Sequence, residues 1–230
     1  MPADAHSFRL LVFDWDGTLM DSIGSIVACT RAVMDELGLA GVKEETIRGT
    51  IGLGLRETVD ILCPGGGDVM FSRILESYRE HWVTTWRDRP VLFDGVREML
   101  EALADEGYLL AVATGKSRRG LEFVLEQTGL TGFFHATRTV DEAFSKPHPQ
   151  MLLDILDELG VRPRSALMIG DTTYDLEMAR SAGTAALGVC SGSHCREELE
   201  QVAPLACLAG VGELREWLAG LREPVAALSP

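Results

Sequence analysis

The stretch Arg9-Leu10-Leu11-Val12-Phe13-Asp14-Trp15-Asp16-Gly17-Thr18-Leu19 constrains this chain more than any other. Leu10 to Phe13 is an unbroken apolar run, the pattern of a strand buried on both faces in a parallel sheet. It stops abruptly at two carboxylates one residue apart. Side chains alternate along a strand, so Asp14 and Asp16 would leave the carboxyl edge on the same side if the chain stayed extended. Two such charges are costly to ionise together without a cation between them. That edge is also where open parallel sheets bind ligands. Read alone, the same residues could form a surface turn, since Asp and Gly favour turns.

The rest of the chain supplies the context. Tyr108–Ala113 and Ala166–Ile169 read as further buried strands, and Thr184–Val189 as another. Phe133–Thr139 has room for a short one. Helical patterns fall between them at Gly95–Glu106, Arg118–Thr128, Pro149–Leu159 and Tyr174–Ala182. Strands separated by helices of this length build βαβ units, hence an α/β, doubly wound, Rossmann-like parallel sheet. Residues 21–88 break the alternation. Helical patterns from Ile23, Glu44–Arg48, Arg56–Leu62 and Val69 to about Trp86 occur there with no convincing strand. The expected organisation is a discontinuous core of residues 1–20 and 89–230, with an all-helical insertion at 21–88.

Three more strand ends or loops carry polar groups. Thr114-Gly115-Lys116 offers a hydroxyl and accessible backbone amides at a helix start, an anion cradle or simply an N-cap. Ser145-Lys146-Pro147-His148-Pro149 constrains a lysine by the following proline. Gly170-Asp171-Thr172-Thr173-Tyr174-Asp175 repeats the opening's chemistry: a carboxylate at a strand end and a second acid in the next helix's first turn. Either a cap with a dipole-stabilising acid or a ligand set fits that second pattern. Oxygen donors from Asp14, Asp16 and Asp171 suit a hard ion, Mg²⁺. Only three of the 21 basic residues are lysine, and Lys116 and Lys146 are two of them. A chain that otherwise uses arginine has kept a compact ammonium at those positions.

Composition excludes some classes. A formal charge of -14 argues against non-specific nucleic-acid binding, though not against a small anion in one pocket. No apolar run approaches the roughly 18 residues of a membrane span, and Met1–His6 lacks a signal peptide's pattern. A cytoplasmic location is expected. The five cysteines include no CxxC pair, which suits reduced thiols. Cys190, His194 and Cys195 lack a fourth zinc partner at normal spacing.

Asp14-Trp15-Asp16-Gly17-Thr18, Thr114-Gly115-Lys116, Lys146-Pro147 and Gly170-Asp171-Thr172-Thr173-Tyr174-Asp175 resemble, in order and spacing, the four motifs of the haloacid dehalogenase superfamily. Within it the chain is most similar to phosphoglycolate phosphatases, and the helical insertion is similar to their cap. The resemblance implies a Mg²⁺-dependent phosphatase acting on a small phosphorylated metabolite, with no nucleic acid or membrane partner, as a monomer or homodimer. Asp14 would be the nucleophile, and an aspartate near its ordinary pKa of about 3.9 needs no separate base for that step. Asp16 would be the general acid and then the base, giving the ion only its main-chain carbonyl. Thr114, the Gly115 amide and Lys116 would meet the substrate. Lys146 would neutralise nucleophile and phosphoryl group. Asp171 would ligate the metal, with Asp175 holding the ion or Lys146. In the cap, Arg56 is the candidate reader of the substrate, against the alternative of a solvated helix face. A sugar phosphomutase could use the same aspartyl-phosphate, and a non-catalytic binding protein could use the same fold. Relatives often carry Pro-Gly-Val where this chain has Asp94-Gly95-Val96, which alters the stiffness of the return from the cap.

Overall fold

A computed structural model of the chain describes residues 8–82, 84 and 91–222. The core is one six-stranded parallel sheet of β1 (Leu10–Phe13), β2 (Leu109–Ala113), β3 (Ala136–Arg138), β4 (Ala166–Gly170), β5 (Ala185–Val189) and β6 (Cys207–Leu208). Their spatial order is β3-β2-β1-β4-β5-β6. The first strand is therefore central, and the chain winds outward from it in both directions. Such a reversal opens a crevice at the carboxyl ends of the middle strands.

Strand alternation sorts the core into two layers. Leu11, Phe13, Leu110, Val112, Leu167 and Ile169 face one side. There they meet α5 (Val96–Asp105), α6 (Arg118–Gln127) and the last described helix, Leu214–Arg222. Leu10, Val12, Ala111, Ala113, Ala166 and Met168 face the other. They pack on α7 (Gln150–Leu159) and α8 (Thr173–Ala182). Both faces are covered, which explains why the central strands are continuous apolar runs rather than alternating ones.

Register fixes the crevice. Phe13 is level with Val112 on one side and Ile169 on the other. Asp14 donates its backbone N–H to the Ile169 carbonyl at 2.9 Å. The three strand ends bearing Asp14, Thr114 and Asp171 are thus neighbours.

Between β1 and α5 the chain forms α1 (Ile23–Glu36), α2 (Glu44–Arg48), α3 (Leu55–Leu62) and α4 (Gly67–His81). Ile23, Val27, Val33, Met34, Ile47, Val59, Leu62 and Ile74 enclose a third apolar cluster, separate from the sheet's two layers. The expected end of the last helix near Trp86, the crossing back at 88–89 and the Met1–His6 reading lie outside the described residues. Gly95 takes φ 76° at the start of α5, a left-handed turn that glycine adopts without strain. Among the described residues no helix is long and apolar enough to cross a membrane.

Candidate active site

Trp15 decides how β1 ends. Its indole is fully buried in the layer that also holds Phe13, with Nε1 3.1 Å from the Met20 sulfur. That anchor turns Asp14 to the opposite side, into the crevice. Its carboxylate lies 2.7 Å from the Lys146 ammonium, and the same ammonium is 2.6 Å from Asp175. All three side chains are 0–1% exposed. Asp175 also closes a capping box at the start of α8: its Oδ2 accepts from the Thr172 N–H at 3.2 Å and hydroxyl at 2.7 Å. Lys146 is thereby held between two carboxylates, one from β1 and one from α8.

Asp171 is gripped on both oxygens. Thr18 donates its hydroxyl to Oδ1 at 2.9 Å, and the Ser193 N–H donates to Oδ2 at 2.8 Å. Two glycines allow this approach. A Cβ on Gly17, which sits at φ +81°, would fall 2.4 Å from Asp171 Oδ2, and one on Gly192 would fall 1.9 Å from it. Neither position can carry a larger residue without moving the carboxylate. Sequence reasoning missed Gly192 and Ser193, because a loop 22 residues away leaves no local signal.

Asp14, Asp171 and Asp175 each offer an oxygen within 4.8 Å of the others. Three buried carboxylates face one ammonium, leaving a formal charge of -2. Apart from the Lys146 ammonium, the Asp14 oxygens have no hydrogen-bond partner. Burial pushes the Asp14 pKa well up, with Asp175 and Asp171 adding to it and only Lys146 opposing. Burial and Asp175 likewise raise Asp171 to about 7. For Lys146, burial works against the charge, but Asp14 and Asp175 outweigh it and its pKa stands above normal. An all-oxygen donor set with a two-charge deficit fits a hard divalent cation. The direction differs from the expectation of an Asp14 at its ordinary pKa: burial raises it, and a cation beside it would oppose that rise.

A pH signature follows. Asp171 keeps its proton in the folded chain up to about pH 7, whereas the unfolded chain loses it near 3.8. The metal-free protein therefore loses stability as pH rises through that window. A divalent cation such as Mg²⁺ would bind the ionised carboxylates and stabilise by mass action. Melting curves with and without Mg²⁺ will show a larger rise in Tm at pH 8 than at pH 5.5. An equal rise at both would refute a site built on these carboxylates.

Asp16 does not share the buried cluster through its carboxylate. Its Oδ1 accepts from Ser22 at 2.6 Å and pairs with Lys116 at 2.9 Å. The two-residue spacing suggested a common side, but the turn after Trp15 carries Asp16 toward the helical insertion. Its carboxylate is accordingly not part of the metal-compatible triad. Thr114 is fully buried at the end of β2, its Oγ1 accepting from the Lys116 N–H at 3.2 Å.

The insertion reaches the crevice through residues 49–54. A Cβ on Gly115 would meet the Leu53 carbonyl at 2.6 Å and that of Gly52 at 2.8 Å. The Gly54 N–H donates to Ser145 Oγ at 2.8 Å, and Tyr174 donates its hydroxyl to the Gly49 carbonyl at 2.6 Å. Arg56, expected to read the substrate, is engaged elsewhere. It bonds Asp68 at 2.6 Å, lies 3.7 Å from Asp60 and covers the Phe71 ring, with 46% of its side chain exposed. The turn between α3 and α4 brings Asp68 across to it.

Comparison with known proteins agrees with this geometry. Residues 11–189 match the family model described as haloacid dehalogenase-like hydrolase. A protein of Dickeya dadantii (strain 3937) named probable phosphatase IndB is 35% identical over 85% of this chain and 86% of its own. A phosphoglycolate phosphatase of Pseudomonas putida is 27% identical over 96% and 82%. The crystal structure of a hydrolase from Pseudomonas syringae superposes with a TM-score of 0.85 at 24% identity, over 93% of this chain and 98% of that one, a likeness of fold. The central acid-ended strand, its lysine and the matched family model lead to one assignment: the chain belongs to the haloacid dehalogenase-like hydrolases.

Proposed function

We propose that this protein is a magnesium-dependent phosphatase that hydrolyses a small, 2-phosphoglycolate-like monoester through an aspartyl-phosphate. The reading rests above all on Asp14, a fully buried carboxylate whose one polar partner is the Lys146 ammonium at 2.7 Å, at the carboxyl edge of a parallel sheet. Relatives named phosphatase and phosphoglycolate phosphatase support the same class.

In this scheme an Asp14 oxygen attacks phosphorus while the ester P–O bond breaks. The electron pair goes to the alkoxide oxygen, which takes the Asp16 proton. Asp16 then removes a proton from water, which attacks the phosphorus and returns Asp14 as inorganic phosphate leaves. Lys146, the Thr114 hydroxyl and the Gly115 amide face the charge that develops on the phosphoryl oxygens. Asp14, Asp171 and the Asp16 main-chain carbonyl would hold Mg²⁺, which when bound would supply positive charge opposite the carboxylates and the phosphoryl group. Asp175 serves by fixing Lys146. The four helices described between Ile23 and His81 act as a cap, with residues 49–54 closing over the site and excluding water.

A panel of phosphorylated metabolites assayed for free phosphate with Mg²⁺ tests the reading. Release of stoichiometric phosphate from a short monoester is expected. Rearranged sugar phosphates without phosphate release would point to a mutase. No turnover of any ester would leave only a binding role.

A further inference from the structure

Position 115 is glycine although its own backbone does not require one. Its φ lies outside the left-handed region, so alanine would suit the local chain. What a Cβ there would strike is the insertion: the Leu53 carbonyl at 2.6 Å and the Gly52 carbonyl at 2.8 Å. Both are main-chain atoms, which cannot swing aside as the end of a long side chain can. The loop between α2 and α3 thus sits in the space of a missing methyl group.

Two hydroxyls hold the ends of that loop. Tyr174 donates to the Gly49 carbonyl at 2.6 Å, and Ser145 accepts from the Gly54 N–H at 2.8 Å. Gly49 is the C-cap of α2 and Gly54 the N-cap of α3, so each hydroxyl serves a main-chain group that its helix leaves unpaired. The Tyr174 ring is itself packed edge-on against His194, with centroids 5.6 Å apart. All four contacts are to main-chain atoms of the loop. Neutral hydrogen bonds of this kind exchange readily with water and have modest net strength, as a lid that opens at each turnover requires.

Resting on the phosphatase reading for its part in turnover, we propose that Gly115, Tyr174 and Ser145 are positioning residues that latch the insertion shut. Gly115 is the seat, and the two hydroxyls are the catches at either end of residues 49–54. Tyr174 directly precedes Asp175, and Ser145 directly precedes Lys146, the two members of a buried ion pair. The closed loop is therefore registered on the charge cluster itself.

Amide hydrogen exchange of the intact protein tests this, followed at Gly54, whose N–H belongs to one catch. Tyr174→Phe keeps the ring against His194 and removes only the bond to Gly49, at the other end of the loop. Exchange at Gly54 is nevertheless expected to rise by about twofold to tenfold, the worth of one hydrogen bond, because the loop lifts as a unit. Gly115→Ala keeps its backbone amide but fills the seat, and is expected to raise the rate by about tenfold or more. Exchange within β1 stays at the wild-type rate in both variants, which excludes a general loosening of the fold. With 2-phosphoglycolate as substrate, Gly115→Ala is expected to lose on the order of a hundredfold in kcat/KM. Unchanged Gly54 exchange in Tyr174→Phe overturns the proposal, and that variant decides even if Gly115→Ala does not fold. A folded Gly115→Ala with wild-type exchange or wild-type kcat/KM overturns it as well. Wild-type protein that hydrolyses no ester defeats the phosphatase reading instead, and the exchange comparison still decides the latch.

Discussion

Asp14→Asn abolishes turnover of every phosphate ester that the wild-type protein accepts, a loss on the order of 10⁴-fold or more in kcat. The amide is nearly the same size but has no anionic oxygen with which to attack phosphorus. The effect on folding is expected to be small or of opposite sign. Burial is the largest influence on the Asp14 carboxyl, and it opposes the charged form, so a neutral amide relieves a desolvation that the carboxylate suffers. Lys146 retains Asp175 at 2.6 Å as its counter-ion. Phosphate release and a thermal melt, measured together, separate chemistry from stability. A variant that melts near the wild-type temperature yet keeps more than about one hundredth of the wild-type kcat removes Asp14 as nucleophile.

The central strands could be read from residue order because their burial is extreme. Leu10–Phe13, Leu109–Ala113 and Ala166–Gly170 are apolar on both faces, which only a doubly covered sheet demands. The same runs end in the polar groups of the site, so fold and site became visible together. The edges were less legible. β3 has three residues and β6 two, too few to show a period.

Within the site, residue types and spacing located Asp14, Lys146, Asp171 and Asp175 but not their electrical state. An Asp14 pKa raised by burial is a property of packing around the crevice, and no local pattern reports it. The partners of the long cations were equally hidden. Arg56 took Asp68 twelve positions on because the α3–α4 turn folds back, and Lys116 took Asp16 from the turn after β1, one hundred residues earlier. Tyr174 and Ser145 reach the Gly49 carbonyl and the Gly54 N–H only because the insertion comes down on the sheet's carboxyl edge.

Lys146→Met tests the other half of the buried charge cluster, and its effect divides between stability and rate. Methionine fills a similar volume, so little cavity forms. What it removes is the ammonium shared by two fully buried carboxylates. Breaking a buried pair on one side costs about 3–5 kcal/mol, and here both Asp14 and Asp175 lose their counter-charge. The penalty applies to ionised carboxylates, so it is largest at high pH. It shrinks as the pH falls and the carboxyls, already raised in Asp14 by burial, take up protons. Mg²⁺ bound as proposed would supply charge to the same cluster and recover part of the lost stability, but not the rate. With no cation against the nucleophile and the transferring phosphoryl group, kcat/KM is expected to fall by on the order of 10³-fold even at saturating Mg²⁺. Urea denaturation at pH 6 and pH 8, with and without Mg²⁺, checks the first part, and initial rates check the second. A variant equally stable at both pH values, or one with near-normal rates, would mean that Lys146 neutralises neither the buried carboxylates nor the reacting group.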